Sequence, residues 1–372
     1  MNYKIVTVSW LVITLSWSVP IQAAPTIDTK LAQLNDGYPV TVSGMNFGDH
    51  SPRVIWLGGK NGLIENTGKG STPSADNWLF GTQWAISTVD DSQHHSYGKS
   101  IRVDMGGSLW NGDIRYNYGN PIGYDTDIFI SWWVRRVHSG SGQWKMFRLC
   151  YTNSIVDPDV PQLTMFNHDP DNQFVIRPGP TTSDGQIVNW KMPYPEEDNR
   201  WYRVDVRIHT GSGHNTGDGL YEVTLFDPSS NTPPRSVSQT WTSFNSSGGQ
   251  HDYYQWFLWQ NYIGNGITSS TVWMDDLYIQ VGTQARVELG NAPTWSACTV
   301  REIQPVVSWH DRSITIDANR GSFGIGETVY LYVVDGNGVV SKGQPVTLVD
   351  KKPPPGIYPL LAPDDVKADI RR

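Results

Sequence analysis

A chain of 372 residues with 17% charged residues, 36 glycines and 24 prolines is poor material for long exposed helices and suits strands joined by turns. Its net charge of −8 repels phosphate backbones, which argues against nucleic acid as a partner, and gives no reason to expect docking on an anionic membrane surface. The length suffices for two or three domains with real cores, so stability needs no disulfide.

The chain opens with Lys4, an uncharged and mostly apolar run from Ile5 to Val19, the helix breaker Pro20, and then Ile21-Gln22-Ala23. This is the layout of a secretion signal cut after Ala23, so residues 1–23 are expected to be a signal peptide. A run of about 15 residues is short for a bilayer span, and no second run of spanning length follows. The mature protein is expected to be secreted, extracellular or periplasmic, with no membrane span.

Short strands are expected at 38–43 and 53–57, within DGYPVTVSGMNFGDHSPRVIWLGG. Val40, Val42, Gly44, Asn46, Phe47, Gly48 and Val54 of this stretch resemble the opening half of an IPT/TIG domain, an immunoglobulin-like module. Its second half does not follow. Further strand runs lie at 100–105, 127–136, 143–151, 173–177, 253–260 and 272–281. The clearest alternation sets Tyr202, Val204, Val206 and Ile208 against Arg203, Asp205, Arg207 and His209, and Tyr221, Val223 and Leu225 against Glu222 and Thr224. That is the period of a strand with one buried face. Turn clusters such as Ser139-Gly140-Ser141-Gly142 and Gly211-Ser212-Gly213 separate the runs, and many short strands with frequent turns imply sandwiches. The segments HHSYGKSIRVDM (94–105), DIFISWWVRRV (127–137), NRWYRVDVRI (199–208) and TVWMDDLYIQV (271–281) resemble the concanavalin A-like jelly-roll superfamily in strand pattern. The resemblance implies a sugar-handling fold, lectin or polysaccharide enzyme, without choosing the chemistry.

Strands follow at 313–318 and 328–334, with Asp335-Gly336-Asn337-Gly338 as a hairpin turn. Residues 306–348 resemble the closing strands of the same IPT/TIG module. The expected fold is all-β: a concanavalin-like jelly roll over 61–291, inserted into a smaller Ig-like β-sandwich split between 24–60 and 292–350. Each fragment alone has too few strands to bury a core. Two separate small modules flanking the jelly roll are the alternative. Residues 351–372, rich in proline and then charged, read as a flexible tail. Cys150 and Cys298 either pair or remain two buried thiols, and their spacing leaves both readings open.

The 17 tryptophans suit either stacking on the apolar faces of sugars or core packing. Trp144 shares even parity with Arg148 in one strand, and Trp259 shares parity with Gln255 and Asn261. Polar companions suit a wet groove better than a dry core. Carbohydrate binding is therefore expected at Trp144, Arg148, Gln255, Trp259 and Asn261. The E-x-D-x-x-E strand motif of jelly-roll glucanases is absent, and Glu196-Glu197 reads as a solvated turn, which disfavours a glycosidase. A polysaccharide lyase needs a cation or amide to neutralise a uronate carboxylate and a base and an acid around it. Arg148, Tyr151, His168 and Tyr254 are the catalytic candidates, with Arg177, Tyr253 and Gln255 of matching type. The R-x-E-L-R and Q-I-H motifs of alginate-type jelly-roll lyases are absent; Gln186-Ile187-Val188 lacks the histidine. In many carbohydrate-binding jelly rolls an Asp placed like Asp275 or Asp276 binds a structural Ca2+, so the resemblance implies calcium as one reading there; backbone amides at a strand bend are the other. His94-His95 and the HDPD segment at 168–171 lack metal-site spacing and read as solvated loops. The expected function is a secreted carbohydrate-binding protein for an extracellular or cell-wall polysaccharide, on a bacterial surface. A lyase acting by β-elimination is one alternative. A non-catalytic structural or adhesive surface protein with a protein partner is the other.

Overall fold

The computed structural model describes residues 23–81, 87–106, 114–140, 142–151, 162–168, 173–178, 192–193, 199–230, 232–241, 252–264 and 266–351, with only the backbone at 143, 162, 164, 166–168, 173–178, 192–193, 261 and 262. All of the expected signal peptide but Ala23, and all of the expected tail but Lys351, lie outside the described residues. So do Gln186-Ile187-Val188 and Glu196-Glu197.

The all-β expectation holds: the described residues form four sheets, paired as a larger jelly-roll sandwich and a smaller one. In the larger, a seven-stranded sheet runs in the spatial order Met192–Pro193, Gln173–Pro178, Gln162–His168, Gln143–Cys150, Tyr254–Gly264, Ile114–Ile122, Trp78–Phe80. An eight-stranded sheet faces it, in the order Arg235–Trp241, Gly219–Phe226, Trp201–His209, Asp127–Ser139, Ser269–Val281, Ser100–Gly106, Ser87–Asp90, with Arg53–Trp56 beside the last residues of Ser269–Val281. The alternation read in 202–208 and 221–225 is borne out. Val204, Val206, Ile208, Tyr221 and Val223 point between the sheets, while Arg203, Asp205 and Arg207 point outward. Aromatics dominate this core: Trp132, Phe147 and Trp259 meet with ring centroids 5.5–6.3 Å apart.

The smaller sandwich draws on both ends of the chain. Its four-stranded sheet orders Thr26–Ile27, Pro39–Met45, Ser313–Asp317 and Val306–His310, with Val42 opposite Ile314. Its five-stranded sheet orders Gln33–Asn35, Gln344–Val349, Thr328–Val334, Arg286–Gly290 and Arg301–Gln304. Leu34, Val42, Phe47, Leu289, Ile316 and Leu331 close its core. Arg53–Trp56 pairs in the larger sandwich and Arg286–Gly290 in the smaller, each across the boundary drawn from the sequence. Cys150 and Cys298 are both free and buried.

The two sandwiches are joined through the outer face of the eight-stranded sheet. Phe129, Tyr278 and Ile303 form an apolar contact there. Beside it, buried Arg203 clasps Asp205 through Nε (2.7 Å) and Nη2 (2.9 Å) and donates from Nη1 to the Arg301 carbonyl (2.6 Å). Its Nη1 also lies 3.3 Å from Glu288 Oε2. Three guanidiniums, of Arg203, Arg286 and Arg301, outweigh the burial of Glu288 and hold its carboxyl down at about 2.

Candidate carbohydrate face

The outer face of the seven-stranded sheet carries Arg115, Asn117, Arg148 and Trp256, and two strand irregularities decide which residues reach it. In Gln143–Cys150 the register shifts between Lys145 and Phe147 against both neighbouring strands. A bulge inserts one residue and so inverts side-chain parity beyond it. Trp144 therefore lies in the core together with Phe147 and Leu149, and Arg148 points to the opposite face. Across from the bulge, Gln260 takes φ 56°, and its Oε1 accepts a 2.7 Å hydrogen bond from Trp144 Nε1. The guanidinium of Arg136 lies 4.3 Å over the Trp144 ring.

The groove expected at Trp144 and Trp259 is thus corrected. Both indoles are fully buried, because parity counted straight through a bulge fails. Tyr254 is also in the core, stacked on Trp241. Gln255 is half-exposed and reaches the Gly119 carbonyl at 3.4 Å. The backbone of His168 pairs with Gln143, while Tyr151 follows Cys150, which pairs with Gln162. His168 and Tyr151 therefore sit at opposite ends of one strand pair. The side chains of His168, Arg177 and Asn261 lie outside the described residues.

Register shows what does share the outer face. Leu258 lies between Arg148 and Arg115, and Trp256 lies between Cys150 and Asn117. Their chain neighbours Phe257 and Trp259 point into the core. Arg148, Cys150 and Leu258 are buried, whereas Arg115, Asn117 and Trp256 are half-buried. Burial pushes the Cys150 thiol up to about 12, and the charges of Arg148 and Arg115 pull against that shift. Both guanidiniums are therefore close to one buried point on this face. The outward indole is Trp256, and the sequence signal that could have found it is its parity with Leu258, counted from the core pair Phe257 and Trp259.

At one end of the face, Tyr151 and Tyr253 meet edge to face, centroids 4.8 Å apart. Their hydrogen bond, with some desolvation, raises the Tyr253 phenol above its ordinary range. Adjacent Asp252 accepts from Tyr124 Oη and pairs with His214 Nδ1 at 2.6 Å. Desolvation and the bond to Asp252 push the Tyr124 phenol up to about 12. This carboxylate can fix the imidazole through Nδ1, which suits the other ring nitrogen to proton transfer. His214, Asp252, Tyr124 and Arg115 come from loops and strands far apart in sequence, and no local motif marks them.

Asp275 and Asp276 lie elsewhere, at the junction of the sandwiches. The strand Ser269–Val281 exchanges its neighbour Ser100–Gly106 for Arg53–Trp56 here, and its register against Asp127–Ser139 shifts between Asp275 and Tyr278. Asp275 Oδ2 accepts from the amides of His95 and Ser96, each at 3.0 Å, and Oδ1 from the amide of Asp276 at 2.9 Å. Asp276 Oδ1 accepts from the Gly59 amide at 3.3 Å. These bonds occupy both oxygens of Asp275 and Oδ1 of Asp276 at a bulge, and the described residues contain no group of three or more His, Cys, Asp or Glu side chains that could hold a metal ion. The residues present do not fit the expected Ca2+. The solvated-loop reading is corrected at His95: its buried ring stacks on Trp133 at 3.5 Å, and its Nε2 pairs with Glu302 Oε1 at 2.8 Å. His94 is exposed as expected.

No protein-family model matches the sequence, and no curated protein is similar to it. Solved structures similar to the chain include arcelin-5, a lectin-like defence protein of Phaseolus vulgaris, with 11% identity and a TM-score of 0.39 over 62% of this chain and 98% of that one. An alginate lyase from Chlorella virus has 9% identity and a TM-score of 0.39 over 55% and 93%. A laminarinase from Flavobacterium has 12% identity and a TM-score of 0.35 over 58% and 96%.

Proposed function

We propose that this is a secreted protein that holds an acidic polysaccharide along the outer face of its seven-stranded sheet, with the smaller sandwich, assembled from both ends of the chain, as its frame. The observation that carries the reading is the register placing Arg115 and Arg148 on the side of the sheet away from the core, with Trp256 and Asn117 one row on. Guanidiniums pair with carboxylates, an indole stacks on a sugar ring, and an amide satisfies a hydroxyl. An anionic chain suits a protein of net charge −8 only through such a local cationic row. Retention on immobilised polyuronate tests it. Arg115→Ala and Trp256→Ala are each expected to weaken retention about tenfold or more, as for loss of a charge-assisted or aromatic anchor. Raised salt should weaken it further. Retention unchanged in both variants defeats the reading and leaves a structural or adhesive role.

A second reading is favoured by Tyr151–Tyr253 and His214–Asp252–Tyr124 at the end of the same face. In a β-elimination, a base of this set takes the proton beside the uronate carboxylate, which Arg148 or Arg115 neutralises. The electron pair forms the new C=C bond as the glycosidic C–O bond breaks, and a phenol returns a proton to the leaving oxygen. Ultraviolet absorbance of unsaturated ends, appearing with the native protein and lost in His214→Ala, supports the lyase; no absorbance on any uronate polymer rejects it.

A further inference from the structure

A second opening lies on the other side of the larger sandwich, between the outer face of the eight-stranded sheet and the smaller sandwich. Its volume is about 280 Å³, the small end of the roughly 300–1,000 Å³ range of ligand pockets. Three guanidiniums line it, of Arg207, Arg286 and Arg301, against the two carboxylates of Asp205 and Glu222. Arg301 is the least satisfied of the three. It is 6% exposed, and among the described residues neither its Nε nor its Nη1 has a hydrogen-bond partner. Among the described residues it pairs with the Glu288 carboxylate, Oε2 3.7 Å from Nε, which is already shared with Arg203. Desolvation is the main cause lowering the Arg301 guanidinium to about 10. Its flat faces are covered by Trp295 at 3.6 Å and Phe226 at 4.6 Å, which hold the cation in place at the cavity wall.

The rest of the wall mixes apolar side chains, among them Phe129, Val334 and Val340, with hydroxyl and amide groups. Thr224 and Ser236, hydrogen-bonded to each other at 2.7 Å, line it together with Gln284 and Asn337. A buried, under-satisfied guanidinium calls for an anion. Neutral hydroxyl and amide groups around it suit a ligand with several hydroxyls better than a bare phosphate, which needs donors only.

We propose that this cavity is a binding site for a single acidic sugar residue, a hydroxylated carboxylate such as a uronic acid, with its carboxylate toward Arg301. The site is separate from the polysaccharide face, since the two lie on opposite sheets. Calorimetric titration of the full chain with free glucuronate, glucose and inorganic phosphate tests it. Glucuronate is expected to bind, and glucose and phosphate to bind at least about tenfold more weakly, as expected when a charge-assisted contact or its hydroxyl partners are lost. Arg301→Gln should weaken glucuronate by a similar factor. Should that variant fail to fold, Ser236→Trp carries the test: Ser236 is exposed on the edge strand Arg235–Trp241, and the indole would fill the opening. Both variants should leave polyuronate retention through Arg115 and Trp256 unchanged, so failure of either site is read separately. No glucuronate binding, phosphate binding as tight as glucuronate, or glucuronate binding unchanged by Ser236→Trp overturns the proposal.

Discussion

Replacing Asp276 with Asn should stabilise the protein, and more so as pH rises. Asp276 is buried at the bulge, and among the described residues its Oδ2 lacks a hydrogen-bond partner. Desolvation and then the charge of Glu302 raise its pKa to about 7 from 3.8, against the opposing pull of His95 and Ser96 and the Gly59 amide. The folded state therefore binds this proton more tightly than the unfolded chain does. The penalty is absent below pH 3.8, grows as the unfolded carboxyl ionises, and is complete once pH passes about 7. Roughly three pKa units correspond to a ceiling of about 4 kcal/mol, of which about 2–3 kcal/mol accrues between pH 5 and pH 8. Asn keeps an acceptor for the Gly59 amide and never ionises. It also tolerates the φ of 49° that Asp276 adopts, being among the residues that enter the left-handed region most readily. Urea unfolding followed by tryptophan fluorescence at pH 5 and pH 8 measures the effect. The advantage of Asp276→Asn over the native protein should widen by about 2–3 kcal/mol over that interval. A gap that does not change with pH, or a variant less stable at pH 8, would show that the native carboxyl is not held protonated by its surroundings.

Three further outcomes follow from packing and charge. Trp259→Ala empties the centre of the larger core and should cost about 3–5 kcal/mol in urea unfolding; loss of polysaccharide retention without that cost would put the indole in a groove after all. Glu288→Gln leaves Arg203 and Arg301 short of a counter-charge and should cost about 3–5 kcal/mol at neutral pH. Because the Glu288 pKa is lowered from 4.5 to about 2, the stability it supplies is present above 4.5 and fades as pH falls toward 2, so the deficit of the variant, read from unfolding midpoints, should shrink with acid. Both thiols should stay unmodified by an aromatic disulfide reagent until the protein unfolds, since each is buried and the reactive thiolate of Cys150 is disfavoured; native-state modification in seconds would contradict the burial.

The strands were largely legible in the sequence because their cause is local. Tyr202 to Ile208 and Tyr221 to Leu225 alternate without interruption; the first run pairs with Asp127–Ser139, and the two runs with each other, in unbroken register. Such runs fix a face by period alone. The site was less legible for the same reason turned round. Trp144 and Arg148 share parity in sequence, and a single inserted residue at Met146 sends them to opposite faces. Nothing in GQWKMFRLC announces the bulge, because it depends on the partner strand, where Gln260 adopts a left-handed backbone. Glu288 and His95 were invisible as buried partners because Arg203 reaches Glu288, and Glu302 reaches His95, only once the two sandwiches are packed.

The same comparison bears on where chemistry can sit in this molecule. A polar residue on a core-facing position has only the core to bond to, as Gln260 bonds Trp144 through Oε1, and its burial closes it off from a ligand. Residues that a bulge or a sandwich junction turns away from the core keep that capacity if their neighbours do not consume it. Asp275 fails this condition, because three amides occupy its oxygens. Arg301 meets it, with two nitrogens unmatched among the described residues. Of Asp275 and Arg301, both buried and charged at the junction of the sandwiches, the acid is explained by the fold, and the base is the one whose surroundings call for a ligand.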